Sequence, residues 1–169
     1  HTTAIMTTQK LLLSGSDIFY ALNELRSTDG GTMWTVPERI ESFARQTFSG
    51  AGQPLLVSVR SGARQSMPGM MDTILNLGLN DTTVQALAEE SNNARFAWDS
   101  YRRFVTMYAN VAMGLDRAHL DAIVTAAVRA RAAQDETELT ADDWRGVVPQ
   151  LKARVAELSN RAFPDEPMD

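Results

Sequence analysis

Leu55-Leu56-Val57-Ser58-Val59 is the one run in this sequence with the length and β-rich apolar character of a buried strand, and it lies in a chain otherwise patterned for helix. A strand cannot satisfy itself. Each buried backbone N–H or C=O left without a partner costs roughly 1–3 kcal/mol. The run therefore demands a neighbour from the N-terminal residues, from another chain, or from sequence that this chain lacks. The expected fold class is mainly α, a helical subdomain plus one short β segment.

The helical signal surrounds the strand. Ile18, Ala21, Leu22 and Leu25 recur at helical spacing after a capping Ser16 or Asp17, and Pro37 opens a second segment carrying Ile40, Phe43 and Ala44. Beyond Asp81 the period is nearly unbroken. Val84, Leu87 and Ala88 mark one helix that gives way at Asn92-Asn93. Ala97, Tyr101, Phe104, Val105, Tyr108, Val111 and Ala112 then draw a single apolar stripe down a longer one, stopped by Gly114. Leu120, Ile123, Val124, Ala127 and Val128 define the next, with Asp116 as its cap. Thr140-Ala141-Asp142-Asp143 reads as a capping box ahead of Trp144, Val147 and Val148. Pro149 is expected to break or kink the chain there, ahead of a final helix carrying Leu151, Val155 and Leu158. The tail from Phe163 reads as an exit. The segments group as residues 1–80, with the strand and the loop after it, 81–163, helical, and 164–169, a linker.

Composition narrows the chemistry. With no cysteine, disulfides and thiolate catalysis are excluded, and two isolated histidines cannot build a His-rich metal site. A net charge of −5 argues against a nucleic-acid-binding surface but leaves room for a local basic pocket. No apolar run reaches the roughly 20 residues of a membrane helix, and the N-terminus lacks a signal-peptide pattern. The expected location is the cytoplasm, with no membrane partner.

The strand leads directly into a segment suited to anions. Val57-Ser58-Val59-Arg60-Ser61-Gly62-Ala63-Arg64 delivers a guanidinium from a strand end into a glycine-containing loop. An Arg fork donates two parallel charge-assisted hydrogen bonds to phosphate oxygens, and small neighbours let backbone N–H groups approach the same ligand. The bland reading of Arg60 is a strand-end cation paired with a nearby carboxylate. Next comes Ser66-Met67-Pro68-Gly69-Met70-Met71-Asp72-Thr73, where three methionines surround a Pro-Gly turn. Methionine adapts to irregular apolar surfaces, as a loop lying over a nucleotide requires, although for any single Met the better reading is that it fills a gap in a core.

Pro54 to Asp81, PLLVSVRSGARQSMPGMMDTILNLGLND, resembles the phosphate-loop segment of pyruvate, phosphate dikinases nearly residue for residue. Arg95-Phe96-Ala97-Trp98-Asp99-Ser100-Tyr101-Arg102-Arg103-Phe104 is similar to a second signature of that family, and Leu139-Thr140-Ala141-Asp142-Asp143 to a third. The resemblance covers about two thirds of the chain. It implies an incomplete part of an α+β, ATP-grasp-like nucleotide-binding domain. In such enzymes the β-phosphoryl group of ATP passes to a histidine on a separate swivelling domain, the γ-phosphoryl group goes to phosphate, and a barrel domain makes phosphoenolpyruvate. The parent would thus interconvert ATP, pyruvate and phosphate with AMP, phosphoenolpyruvate and pyrophosphate, as a homo-oligomer.

By the same resemblance Arg60 matches an arginine on the ATP phosphates. Gly69, Met71, Asp72 and Thr73 match the flexible loop that closes over the nucleotide. Arg103 matches an arginine near the docking surface of the phosphohistidine domain; read without the family, it is a solvated helix-face charge. Departures matter as well. The family's Gly-rich segment with its ATP-contacting lysine, the acidic ligands of Mg2+ and a phosphoryl-accepting histidine have no counterpart here. The cofactor would be ATP with Mg2+, its metal ligands outside this chain, and the chain alone is expected to be inactive. Two alternatives stand beside this reading: a fragment resembling phosphoenolpyruvate synthase, whose strand also ends in Val-Arg-Ser but continues differently, and a non-catalytic helical interaction module docking through Arg102 and Arg103.

Overall fold

A computed structural model describes residues 11–14, 41, 54–60 and 73–164. The expected helix over residues 18–26 lies outside them. Of the second expected helix only Glu41 is described, and it is helical. The mainly helical character holds, and the strand has neighbours on both sides.

Among the described residues β1 (Leu11–Ser14), β2 (Val57–Arg60) and β3 (Thr73–Leu77) form a three-stranded sheet with β2 in the middle. β1 pairs parallel to β2, from Leu11 opposite Val57 to Ser14 opposite Arg60. β3 pairs antiparallel, with Val57 opposite Leu77, Val59 opposite Ile74 and Arg60 opposite Thr73. The partners demanded by the strand thus come from the N-terminal residues and from Thr73–Leu77. Periodicity missed the second because Ile74, Leu75 and Leu77 do not alternate with polar residues, and Asn76 adopts φ 60° within the strand.

The helices follow their caps. α1 (Thr83–Ser91) ends on Asn92 in the left-handed conformation, at φ 47°, where asparagine is tolerated. Asn93 then caps α2 (Ala94–Val111), accepting the Phe96 N–H at 3.0 Å. Gly114, at φ 69°, follows the end of α2. Asp116 accepts the Ala118 N–H at 2.9 Å at the start of α3 (Ala118–Ala130). A short 3-10 turn, Glu136–Glu138, leads to α4 (Ala141–Ser159), which opens on the expected capping box. Thr140 receives the Asp143 N–H, and the Asp143 carboxylate takes both the N–H and the hydroxyl of Thr140, which holds that carboxyl below its usual range.

Pro149 does not break α4, which runs continuously past it. Pro149 and Gly146 sit on the exposed face, so the Arg145 carbonyl, which loses its helical donor, opens to water. On the opposite face Val147, Val148 and Leu151 are buried, and their packing keeps the helix whole. Phe163 departs from expectation too: only 4% exposed, it packs edge-on against Phe104 and Tyr108 and closes the core rather than starting a tail. That core joins Leu56 and Leu79 from the sheet side to Tyr101, Val105, Trp144, Leu151 and Val155 of α2 and α4. β3 packs against α2, which sets the paired strands β2 and β3 beside the helical body.

Candidate functional site

The expected phosphate site is built on a hairpin. The backbone of Arg60 closes β2, and the register sets it opposite Thr73, the first residue of β3. Thr73 was expected within a flexible loop; it begins a strand instead, because β3 runs up to meet Arg60. Residues 61–72, which carry Gly69, Met71 and Asp72, lie outside the described residues, but the two residues that flank them are paired. The far end of β3 is equally fixed. Thr83 Oγ1 donates to the Gly78 carbonyl and receives the Asn80 N–H, both at 2.8 Å, while Asn80 Oδ1 accepts the N–H groups of Thr82 and Thr83. Asp81, next in line, accepts the Tyr101 hydroxyl and the Lys152 ammonium, each at 3.0 Å, which ties the joint to α2 and α4.

The second signature segment, on α2, divides sharply by burial. Arg102, only 5% exposed, points inward: its guanidinium meets Asp99 at 2.6 Å and Glu136 at 3.1 Å and lies 4.6 Å from the Trp144 ring centroid. Two carboxylates and an aromatic face replace the water that a buried cation loses. Arg95 donates to the backbone carbonyls of Leu139 at 2.8 Å, Thr137 at 2.7 Å and Glu136 at 3.3 Å, clamping the 3-10 turn onto α2. Arg103 alone of these three arginines faces outward, its side chain 58% exposed and held at 2.9 Å by the second oxygen of Asp99. Lying off the apolar stripe, it is placed as its sequence position suggested.

A docking face made of Arg102 and Arg103 together is ruled out, because Arg102 is internal. The spacing carried the signal: Arg95 and Arg102 stand seven residues apart, on the flank of the apolar stripe that faces the 3-10 turn. Sequence reasoning also missed Asp99, which divides its two oxygens between the inward and the outward arginine.

Arg103 and the Arg60–Thr73 pair stand on adjoining elements, since α2 packs against β3. An open groove of about 700 Å³ lined by Tyr108, Met113, Leu115, Leu158 and Phe163 contains none of the expected site residues. His119 is exposed on α3. Among the described residues no group of three or more His, Asp or Glu is arranged to hold a metal ion, and no helix is long and apolar enough to cross a membrane.

No protein-family model matches the chain. Individual proteins do. It is 46% identical over 129 residues to a pyruvate, phosphate dikinase of Rhizobium meliloti, and 48% identical over 131 residues to that of Clostridium symbiosum. A chloroplastic pyruvate, phosphate dikinase of Mesembryanthemum crystallinum is 50% identical over 115 residues. These matches take in 76%, 77% and 68% of this chain but only 14%, 15% and 12% of the respective relatives. Chance does not sustain such identity across strands, loop and helices together, and the chain accordingly belongs to the pyruvate, phosphate dikinase family, corresponding to one limited segment of its members.

Proposed function

We propose that this segment supplies ATP-phosphate contacts to the nucleotide-binding domain of a pyruvate, phosphate dikinase. The observation that carries the proposal is the pairing of Arg60 with Thr73. It brings to one hairpin end the two described residues that the family resemblance assigns to the nucleotide. A guanidinium there is suited to hold phosphate oxygens through paired charge-assisted hydrogen bonds, with Gly69, Met71 and Asp72 contributing from the connecting loop. Backbone amides near the phosphates would steady charge as it spreads over the transferring group. Mg2+, bound by ligands outside this chain, would neutralise the polyphosphate. Arg103, outward-facing and held by Asp99, is suited to guide the docking of a phosphohistidine domain of the same parent protein.

In that parent the phosphoryl group would travel from ATP through the histidine toward pyruvate, while this chain alone binds nucleotide without turning it over. Titration of the chain with ATP and Mg2+, followed by tryptophan fluorescence, tests the proposal. A saturable response that Arg60→Ala weakens by roughly tenfold or more is expected, since a phosphate-bound guanidinium contributes about 1.5–3 kcal/mol. Equal binding by the variant removes Arg60 from the site.

A further inference from the structure

We infer that Asn76, which is not itself among the proposed ligand contacts, is a positioning residue that sets Thr73 opposite Arg60. This inference rests on the nucleotide reading of the hairpin end. Between the pairs Val57–Leu77 and Val59–Ile74, the single residue Ser58 of β2 faces two residues of β3, Leu75 and Asn76. The extra residue is a bulge. Counted back from Leu77 without it, the antiparallel register would set Ile74 opposite Arg60, and every side chain between there and the loop would change face. The bulge therefore decides which residue of the returning strand stands beside the guanidinium-bearing one.

Asn76 makes the bulge possible. Its φ of 60° lies in the left-handed region, which glycine and asparagine enter readily and β-branched residues avoid. The strand cannot relieve the bulge by sliding at its other end. Gly78, at φ 109°, has its carbonyl bound by Thr83, and Asn80 is hydrogen-bonded into the first turn of α1. With that end fixed, any loss of the left-handed residue must be absorbed at Thr73.

The test is a series on the full 169-residue chain: Asn76→Gly, Asn76→Ala and Asn76→Val, each titrated with ATP and Mg2+ beside Arg60→Ala. Asn76→Gly should bind within about twofold of wild type even where its melting temperature falls, because glycine keeps the left-handed conformation while loosening the chain. Asn76→Val should bind roughly tenfold or more weakly, since displacing a contact group by an ångström can cost up to about a hundredfold. Its cross-strand NOE between Arg60 and Thr73 should also vanish, while that of Asn76→Gly persists. Should the valine variant fail to fold, Asn76→Ala carries the same reading with a smaller loss.

A folded Val or Ala variant that keeps both wild-type affinity and the NOE overturns the inference. So does a series in which affinity, glycine included, merely follows melting temperature. If Arg60→Ala binds like wild type, the nucleotide reading fails instead, and the NOE still reports whether Asn76 sets the register.

Discussion

Asp99 shows how two adjacent arginines of one helix come to do different things. One carboxylate oxygen holds Arg102 inside the molecule, against Glu136 and the Trp144 ring, and the other holds Arg103 at the surface. Replacing Arg102 by methionine would leave Asp99 half-paired at the edge of the core and strip the tryptophan face of its cation. A loss of about 3 kcal/mol or more is expected, as for a buried ion pair that loses one member. Arg103→Met removes only an exposed partner and should cost less than about 1 kcal/mol. Urea denaturation of the two variants separates them, and equal losses would contradict the division of roles. Residue-level placement of this kind was only half legible in the sequence. The apolar stripe predicts that Arg103 points outward, but the burial of Arg102 depends on carboxylates contributed by two separate elements, one of them a short turn that carries no period.

At the scale of elements, what could be read depended on whether a local rule met competition from packing. Asn93 and Thr140 cap their helices as their side chains predict, because a cap acts on backbone groups within a few residues of itself, whereas Asp116 accepts the Ala118 N–H from one residue ahead of Arg117, the N-cap of α3. Pro149 obeys an equally local rule and is overruled, since the buried Val147, Val148 and Leu151 hold both sides of α4 in one line. The same reasoning predicts that Pro149→Ala stabilises the protein by about 1–2 kcal/mol: the restored N–H can bond the Arg145 carbonyl, while the gain is reduced by the greater freedom of the unfolded chain. Thermal melting measures this, and an unchanged or lower melting temperature would show that α4 has adapted to proline in some further way. β3 escaped notice for the opposite reason. Its bulge destroys the alternation by which strands are recognised, and the feature that hid the strand is the one that sets Thr73 beside Arg60. Of the candidate site, the strand-end position of Arg60 was legible from the apolar run before it, whereas its pairing with Thr73 is non-local.

For the whole molecule, the helical body is tied to its connections by carboxylates that must remain ionised. Asp143 is held below the usual carboxylate range by the hydroxyl and N–H of Thr140, and Asp135 by the hydroxyl and N–H of Thr137. The two flank the 3-10 turn that Arg95 clamps to α2 and that Glu136 links to Arg102. One stretch of chain thus gathers several contacts that favour ionised acids. Groups whose folded pKa is depressed contribute stability fully present above their unfolded value, about 3.9 for aspartate, and lost as pH falls through the folded value. Stability should therefore stay nearly level from neutral pH to about 5 and decline through the window below about 4, as these aspartates take up protons. Asp143→Asn, which cannot ionise, should lower stability at neutral pH and flatten part of the acid decline, so that its curve converges on the wild-type one at low pH. Urea midpoints collected across that range decide the matter. Parallel curves, with the variant offset by the same amount at every pH, would mean that the carboxylate charge of the capping box contributes nothing, and that α4 is anchored by burial of Trp144 and its neighbours alone.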